Sequence, residues 1–348
     1  MSSSRRHLAL LLPGLCGPQA DPPVSDYLQP RPVALDRLLS RSKPVHNGIN
    51  GLDETLCRWF GFDACRQDAL PVAALTYRSD AGEAATGYIM RADPVHLRAD
   101  QSSLRLFEAD TFPVTQEEAD AVVAAFNSFY AGRGLQLLAP CPRRWYLALA
   151  ATPAITTAAL SEVAGQDINA YLPQGNEAVD WRRLLNEVQM LLHDHPVNTA
   201  REQRGEPAIN SLWFWGGGLL PNSLQSHAAL IAADHPTALG LALQAATPRV
   251  DVPATLEELF PLAVDGVTLV LNDALTSATR YADVEHWLEA LRGLEKNWFV
   301  PLLAALRHGD LSSLEIDPCN GTRFMVNKYR QRCFWKRDRP FEILCPHE

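Results

Sequence analysis

The 348-residue sequence contains no apolar run approaching the ~18 residues of a membrane-spanning helix, so no such span is expected. Its apolar opening, Leu8 to Leu12 after Arg5-Arg6-His7, is short for a signal-peptide core. Pro13 interrupts it and no small-x-small cleavage site follows, so it reads as a first buried strand. Leu15 before Cys16 also argues against a lipoprotein site. No Lys/Arg-rich run precedes residue 323 and the formal net charge is −9, which gives nucleic-acid or anionic-membrane binding little electrostatic support. The seven cysteines include no C-x-x-C pair, an odd and scattered set that suits reduced thiols in a cytoplasmic protein. There is no internal repeat and no low-complexity linker.

With 47% hydrophobic residues the chain can bury a large core, and its length suggests two domains. Short apolar runs at 7–12, 72–77, 144–150, 211–215, 228–232, 267–271, 312–316 and 341–344 read as strands. They alternate with helical patterns, which predicts an α/β protein with a largely parallel sheet. A helix is expected over 115–131. Thr115 and Glu118 form a capping box, Val122, Phe126, Phe129 and Tyr130 share a face, and Gly132 and Gly134 end it. A second helix carries Trp181, Leu184, Leu185, Val188, Leu191 and Leu192 and ends near His193. A third begins near Asp283 and buries Trp287, Leu291 and Trp298, with Pro301 interrupting or kinking it. The basic stretch Arg323, Lys328, Arg330, Arg332, Lys336, Arg337 and Arg339 reads as a solvated edge strand.

Three polar groups are candidates for binding. In the strand Arg91 to Asp100, alternation turns Arg91, Asp93, Val95 and Leu97 one way and His96, Arg98 and Asp100 the other. Its arginines can grip an anion bidentately, or the charges can be cross-strand ion pairs. His193, Asp194, His195, Asn198 and Arg201 form the second group, suited either to a ligand or to satisfying backbone groups at a hinge. Gly216-Gly217-Gly218 can form an anion nest or a sterically required turn; it lacks the Lys-Ser/Thr of a P-loop. Trp213 and Trp215 point to one face and read as core.

The run His195-Pro196-Val197-Asn198-Thr199-Ala200-Arg201, then Pro207-Ala208-Ile209-Asn210 and Trp213-Phe214-Trp215-Gly216-Gly217-Gly218, resembles a signature of archaeal-type cofactor-independent phosphoglycerate mutases of the alkaline phosphatase superfamily. The Asn210-Ser211-Leu212-Trp213-Phe214-Trp215 stretch also resembles RpfE-type regulatory proteins of bacteria. The resemblance implies an alkaline-phosphatase-like α/β core at 1–83 and 206–348, with an inserted smaller α/β cap at 84–205. Active relatives place a metal-binding Asp after the first strand, a nucleophilic Ser at a glycine turn, and Asp-His pairs after later strands. Here Pro13, Leu52 and Pro318 stand in three of those places. Leucine offers no oxygen for phosphoryl transfer, and proline cannot ligate. Asp53, Asp273 and Asp317 are the residual candidates for a metal such as Mn or Zn.

The expectation is therefore a cytoplasmic, catalytically degenerate regulator with no cofactor. It would bind a small anionic ligand or a regulatory protein partner through Arg91, Asp93, His96, Arg98, Asn198, Arg201 and Asn210. The alternative is a metal-dependent mutase or phosphatase with rearranged ligands.

Overall fold

The computed structural model describes residues 6–62, 70–100, 103–331 and 337–345. Its strands run in chain order as β1 (Arg6–Leu11), β2 (Lys43–Asn50), β3 (Tyr88–Asp100), β4 (Ser103–Glu108), β5 (Leu135–Cys141), β6 (Arg144–Leu149), β7 (Ile155–Thr156), β8 (Gln174–Gly175), β9 (Ser211–Gly218), β10 (Leu230–Ala232), β11 (Arg249–Val250), β12 (Gly266–Leu271), β13 (Ser313–Asp317) and β14 (Asn320–Asn327). The chain divides into two compact units, one of residues 1–63 and 223–348, the other of 64–222. The inserted unit therefore takes in the segments 64–83 and 206–222, which the sequence reading placed with the core.

The first unit is built on a seven-stranded sheet in the order β11-β10-β12-β1-β13-β14-β2. The strands from β11 to β13 pair in parallel, while β14 and β2 add antiparallel. Leu8 and Leu10 of β1, Leu314 and Ile316 of β13, and Val270 of β12 share one apolar cluster with Trp287, Trp298 and Phe341. Ala9, Leu11, Leu269 and Leu271 on the opposite face are buried as well. Burial on both faces explains why these strands read as continuous apolar runs without alternation.

The second unit is organised by β3, whose 13 residues pair with β4, β6 and β9, all antiparallel. Met90 and Ala92 face a cluster with Val122, Phe126, Trp181 and Val188. Val95 and Leu97 face the other way, onto Val72, Trp213 and Trp215. The helix Gln116–Phe129 starts at the expected capping box: Thr115 accepts from the Glu118 N–H while Glu118 accepts from the Thr115 N–H. The helix Ala178–His193 ends where the apolar stripe predicts.

Several sequence expectations are corrected. Residues 72–77 are not a strand but open the helix Val72–Ala81, which Gly82 ends in the left-handed conformation. A short run of buried apolar residues does not distinguish helix from strand. Residues 341–344 form a helical turn, Phe341–Leu344, for the same reason. After Asp283 the helix Val284–Leu294 passes through a π turn at Glu295–Phe299 into Val300–His308. Pro301, which lacks an N–H, is thus accommodated without a break. The basic stretch is not an edge strand: Arg323 lies in β14, inside the sheet, and Lys328–Gln331 is a helical turn. Arg332 and Lys336 lie outside the described residues. The cysteines are not all thiols, because Cys16 and Cys345 form a disulfide spanning 329 positions. No helix among the described residues is long and apolar enough to cross a membrane.

Candidate functional site

The C-terminal edge of the parallel strands gathers the positions singled out by sequence. Leu11 lies opposite both Leu271 and Asp317, so the chain segments leaving β1, β12 and β13 emerge side by side. The Leu12 N–H donates to the Asp317 carbonyl, and the Asn272 N–H to that of Leu11. The Thr276 hydroxyl donates to the Pro13 carbonyl at 3.4 Å, tying the loop after β12 to the loop after β1. Gly51, at φ 104°, precedes the helix Leu52–Trp59, and its N–H donates to the Cys319 carbonyl. Pro13, Leu52, Asp273, Asp317 and Pro318 thus belong to one edge of one sheet.

Two of the carboxylates at this edge, Asp317 and Glu315, are answered from within. Asp317 is 1% exposed; its Oδ1 accepts the Cys319 N–H at 2.8 Å and its Oδ2 lies 3.1 Å from the Arg58 guanidinium. Arg58 also lies 3.5 Å from buried Glu315, which Arg323 approaches from 3.3 Å. Burial pushes the Asp317 carboxyl above its usual range, and the Cys319 N–H and Arg58 pull against that shift. The Thr55 hydroxyl donates to the Gly51 carbonyl. Burial raises the Cys57 and Cys319 thiols, which keeps them protonated and poorly nucleophilic. Asp53 is half-buried, with one oxygen lacking a hydrogen-bond partner, and Asp273 is exposed. Among the described residues no three His, Cys, Asp or Glu side chains converge to hold a metal ion. Proline, leucine and an arginine-bound aspartate do not fit a two-metal centre.

Most of the seven residues expected to bind an anion have internal partners. Arg91 donates twice to Asp93 Oδ1, at 3.0 and 2.6 Å, and the Trp215 indole donates to Oδ2 at 2.7 Å. The guanidinium also lies over the Tyr146 and Trp215 rings. Burial pushes the Asp93 carboxyl up, while Arg91 and Trp215 oppose the shift. His96 Nδ1 bonds the Ala208 carbonyl at 2.8 Å, and exposed Arg98 stacks on Phe107. Asn210 exchanges two hydrogen bonds with the Leu97 backbone. Asn198 is spent on the Leu192 carbonyl and on both backbone groups of Ile209. Arg201, fully buried, donates to the Pro207 carbonyl and to Glu118 at 2.7 Å. His195 caps the helix Pro196–Gln203 through Nδ1, and burial lowers its pKa, in keeping with that acceptor role. His193 is exposed, its Nε2 3.9 Å from Asp194.

The glycine run is explained by close packing. A Cβ at Gly217 would run into the Tyr88 side chain, and one at Gly218 would meet Pro71 at 2.6 Å. Arg58 and Glu315 were not found from sequence. Glu315 and Asp317, two apart in an otherwise apolar strand, carried a readable signal. Arg58 carried none, because 259 positions separate it from Asp317. A second network was also missed: Asp80 accepts two bonds from Arg144 and one from Tyr146, which outweigh burial and hold its carboxyl below the usual range.

No family model matches the chain. It is 25% identical over 277 residues to a probable 2,3-bisphosphoglycerate-independent phosphoglycerate mutase of Geobacter sulfurreducens, covering 71% of this chain and 66% of that protein. It is 29% identical over 126 residues to 2,3-bisphosphoglycerate-independent phosphoglycerate mutase 2 of Methanothermobacter thermautotrophicus, covering 34% of this chain and 30% of that one. The chain thus spans less than two thirds of the length of these relatives. Among solved structures, the PH0037 protein of Pyrococcus horikoshii aligns over 93% of this chain and 88% of its own, with TM-score 0.53 and 14% identity. The chain is phosphoglycerate mutase-like in sequence, and its fold is α/β, an alkaline-phosphatase-like core with a mostly parallel sheet interrupted by an inserted unit.

Proposed function

We infer that this chain is a catalytically degenerate phosphoglycerate mutase-like protein with a regulatory, binding role, as its resemblance to RpfE-type proteins suggests. The observation that carries the reading is the Arg58 guanidinium against Asp317. A guanidinium neutralises a carboxylate, but it offers no open coordination position and cannot lower the pKa of a bound water as a metal ion does. Pro13 and Leu52 at the same edge supply neither a ligand nor a nucleophile. The binding partner in this reading is a small anionic ligand or a regulatory protein. A bacterial cytoplasm is the setting carried over from the sequence.

A metal-dependent mutase or phosphatase with rearranged ligands is the second reading, favoured by the unpartnered oxygen of Asp53. Thermal unfolding of chelator-treated protein with added Mn²⁺ or Zn²⁺, beside turnover of phosphoglycerates and a generic phosphoester, separates the two. Degeneracy predicts no saturable shift and no turnover. A metal at 100 times its dissociation constant stabilises by about 2.7 kcal/mol, and such a shift accompanied by phosphate release would overturn the first reading.

A further inference from the structure

Arg91 and Arg201 each meet an internal carboxylate, whereas a group of arginines in the first unit shares a single one. The helices Val33–Ser40 and Val300–His308 pack against each other, and the first ends beside the segment 337–340. Arg37 Nε lies 2.9 Å and Arg41 3.5 Å from the two oxygens of Asp338. Arg41 is 9% exposed at its side chain; it donates to the Gln331 carbonyl, and its Nε has no partner. Gln331 is buried beside it with neither amide atom bonded. Arg330 reaches the neighbouring Ser42 carbonyl. Arg307, exposed, makes no hydrogen bond or ion pair among the described residues, and after burial it is the positive charges of Arg37 and Arg41 that push its pKa down.

Three guanidinium groups, with a fourth near by, therefore face one carboxylate, Asp338, among the described residues, in a chain whose net charge is −9. The two helix C-termini offset part of this, but each amounts to only about half a charge. Arg41, the buried member, is the charge that is costly unless an anion answers it. Asp338 indicates the chemistry: an oxyanion bridging two guanidiniums. The surplus left beyond that single charge matches a dianion better than a second carboxylate.

We propose that Arg37, Arg41 and Arg307 form a binding site for a phosphoryl-bearing anion, with Asp338 as its internal competitor. The site uses none of the degenerate positions and does not depend on whether the chain turns over. The test is calorimetric titration of the full chain with inorganic pyrophosphate at low ionic strength, against sodium chloride of matched ionic strength. Saturable binding is expected. Arg307→Gln should weaken it about tenfold, the scale of one charge-assisted contact, without moving the melting temperature of the free protein. Asp338→Asn should tighten it, a direction that no folding defect imitates. Vesicles of phosphatidylcholine with and without phosphatidic acid form a second arm: capture by phosphatidic acid alone would make a lipid headgroup the source, and pyrophosphate binding a soluble one. No saturable response in either arm, or equal binding by Arg307→Gln, overturns the proposal.

Discussion

Replacing Arg58 by methionine removes the guanidinium beside Asp317 while keeping much of the apolar volume of its stem. Removing one partner of a buried pair typically costs about 3–5 kcal/mol. Asp317 is 1% exposed, but the Arg58 side chain is 23% exposed and the Cys319 N–H remains bound to the carboxylate. A loss of about 2–3 kcal/mol at pH 7 is therefore expected. The pH dependence follows from the raised pKa of Asp317. A carboxyl that titrates higher when folded than when unfolded takes up a proton on folding. Its penalty is absent below the unfolded value and grows as pH rises through the folded one. Without Arg58 the folded pKa climbs further, so the lesion should be full at pH 7 and small near pH 4.5. Denaturant midpoints of wild type, Arg58→Met and the double variant with Asp317→Asn, measured at both pH values, test this. The double variant should recover most of the loss at pH 7. Equal destabilisation at both pH values, or no recovery, would refute the assignment of Arg58 as the counter-ion of Asp317.

The Arg91–Asp93 pair is more enclosed, with side chains 7% and 2% exposed. Arg91→Met should destabilise by about 3–5 kcal/mol and red-shift tryptophan emission as Trp215 loosens; a melting temperature within a degree of wild type would count against it. Thr115→Ala removes one half of the capping box and should cost about 1 kcal/mol by thermal unfolding, whereas Thr115→Ser should be near neutral. The oxidised chain should yield a linked Cys16–Cys345 peptide under non-reducing digestion, and replacing both cysteines by serine should cost about 2–5 kcal/mol. Absence of the linked peptide, or an unchanged midpoint in the double serine variant, would exclude a stabilising bond.

The apolar runs of β1, β10, β12 and β13, the Thr115–Glu118 capping box and the stripe from Trp181 to Leu192 were legible because local patterning dictates them. Period, cap chemistry and burial act within a few residues, so they leave a direct trace in the sequence. The replacement of expected site residues by Pro13, Leu52 and Pro318 was equally legible, since losing a ligand requires no knowledge of distance. The run Val72 to Tyr77 was not: once buried, its apolar residues satisfy helix and strand alike, and only packing against β3 and β9 selects the helix. Nor could the sequence tell a ligand-binding arginine from a structural one. Arg91, Arg201 and Arg58 are chemically suited to an anion, and each meets an internal carboxylate instead. By itself, then, the sequence determined which segments are buried and how the helices begin. Only the tertiary structure decided which charges face one another, because a counter-ion is chosen by distance in space, and here the partners lie from 2 to 259 positions apart.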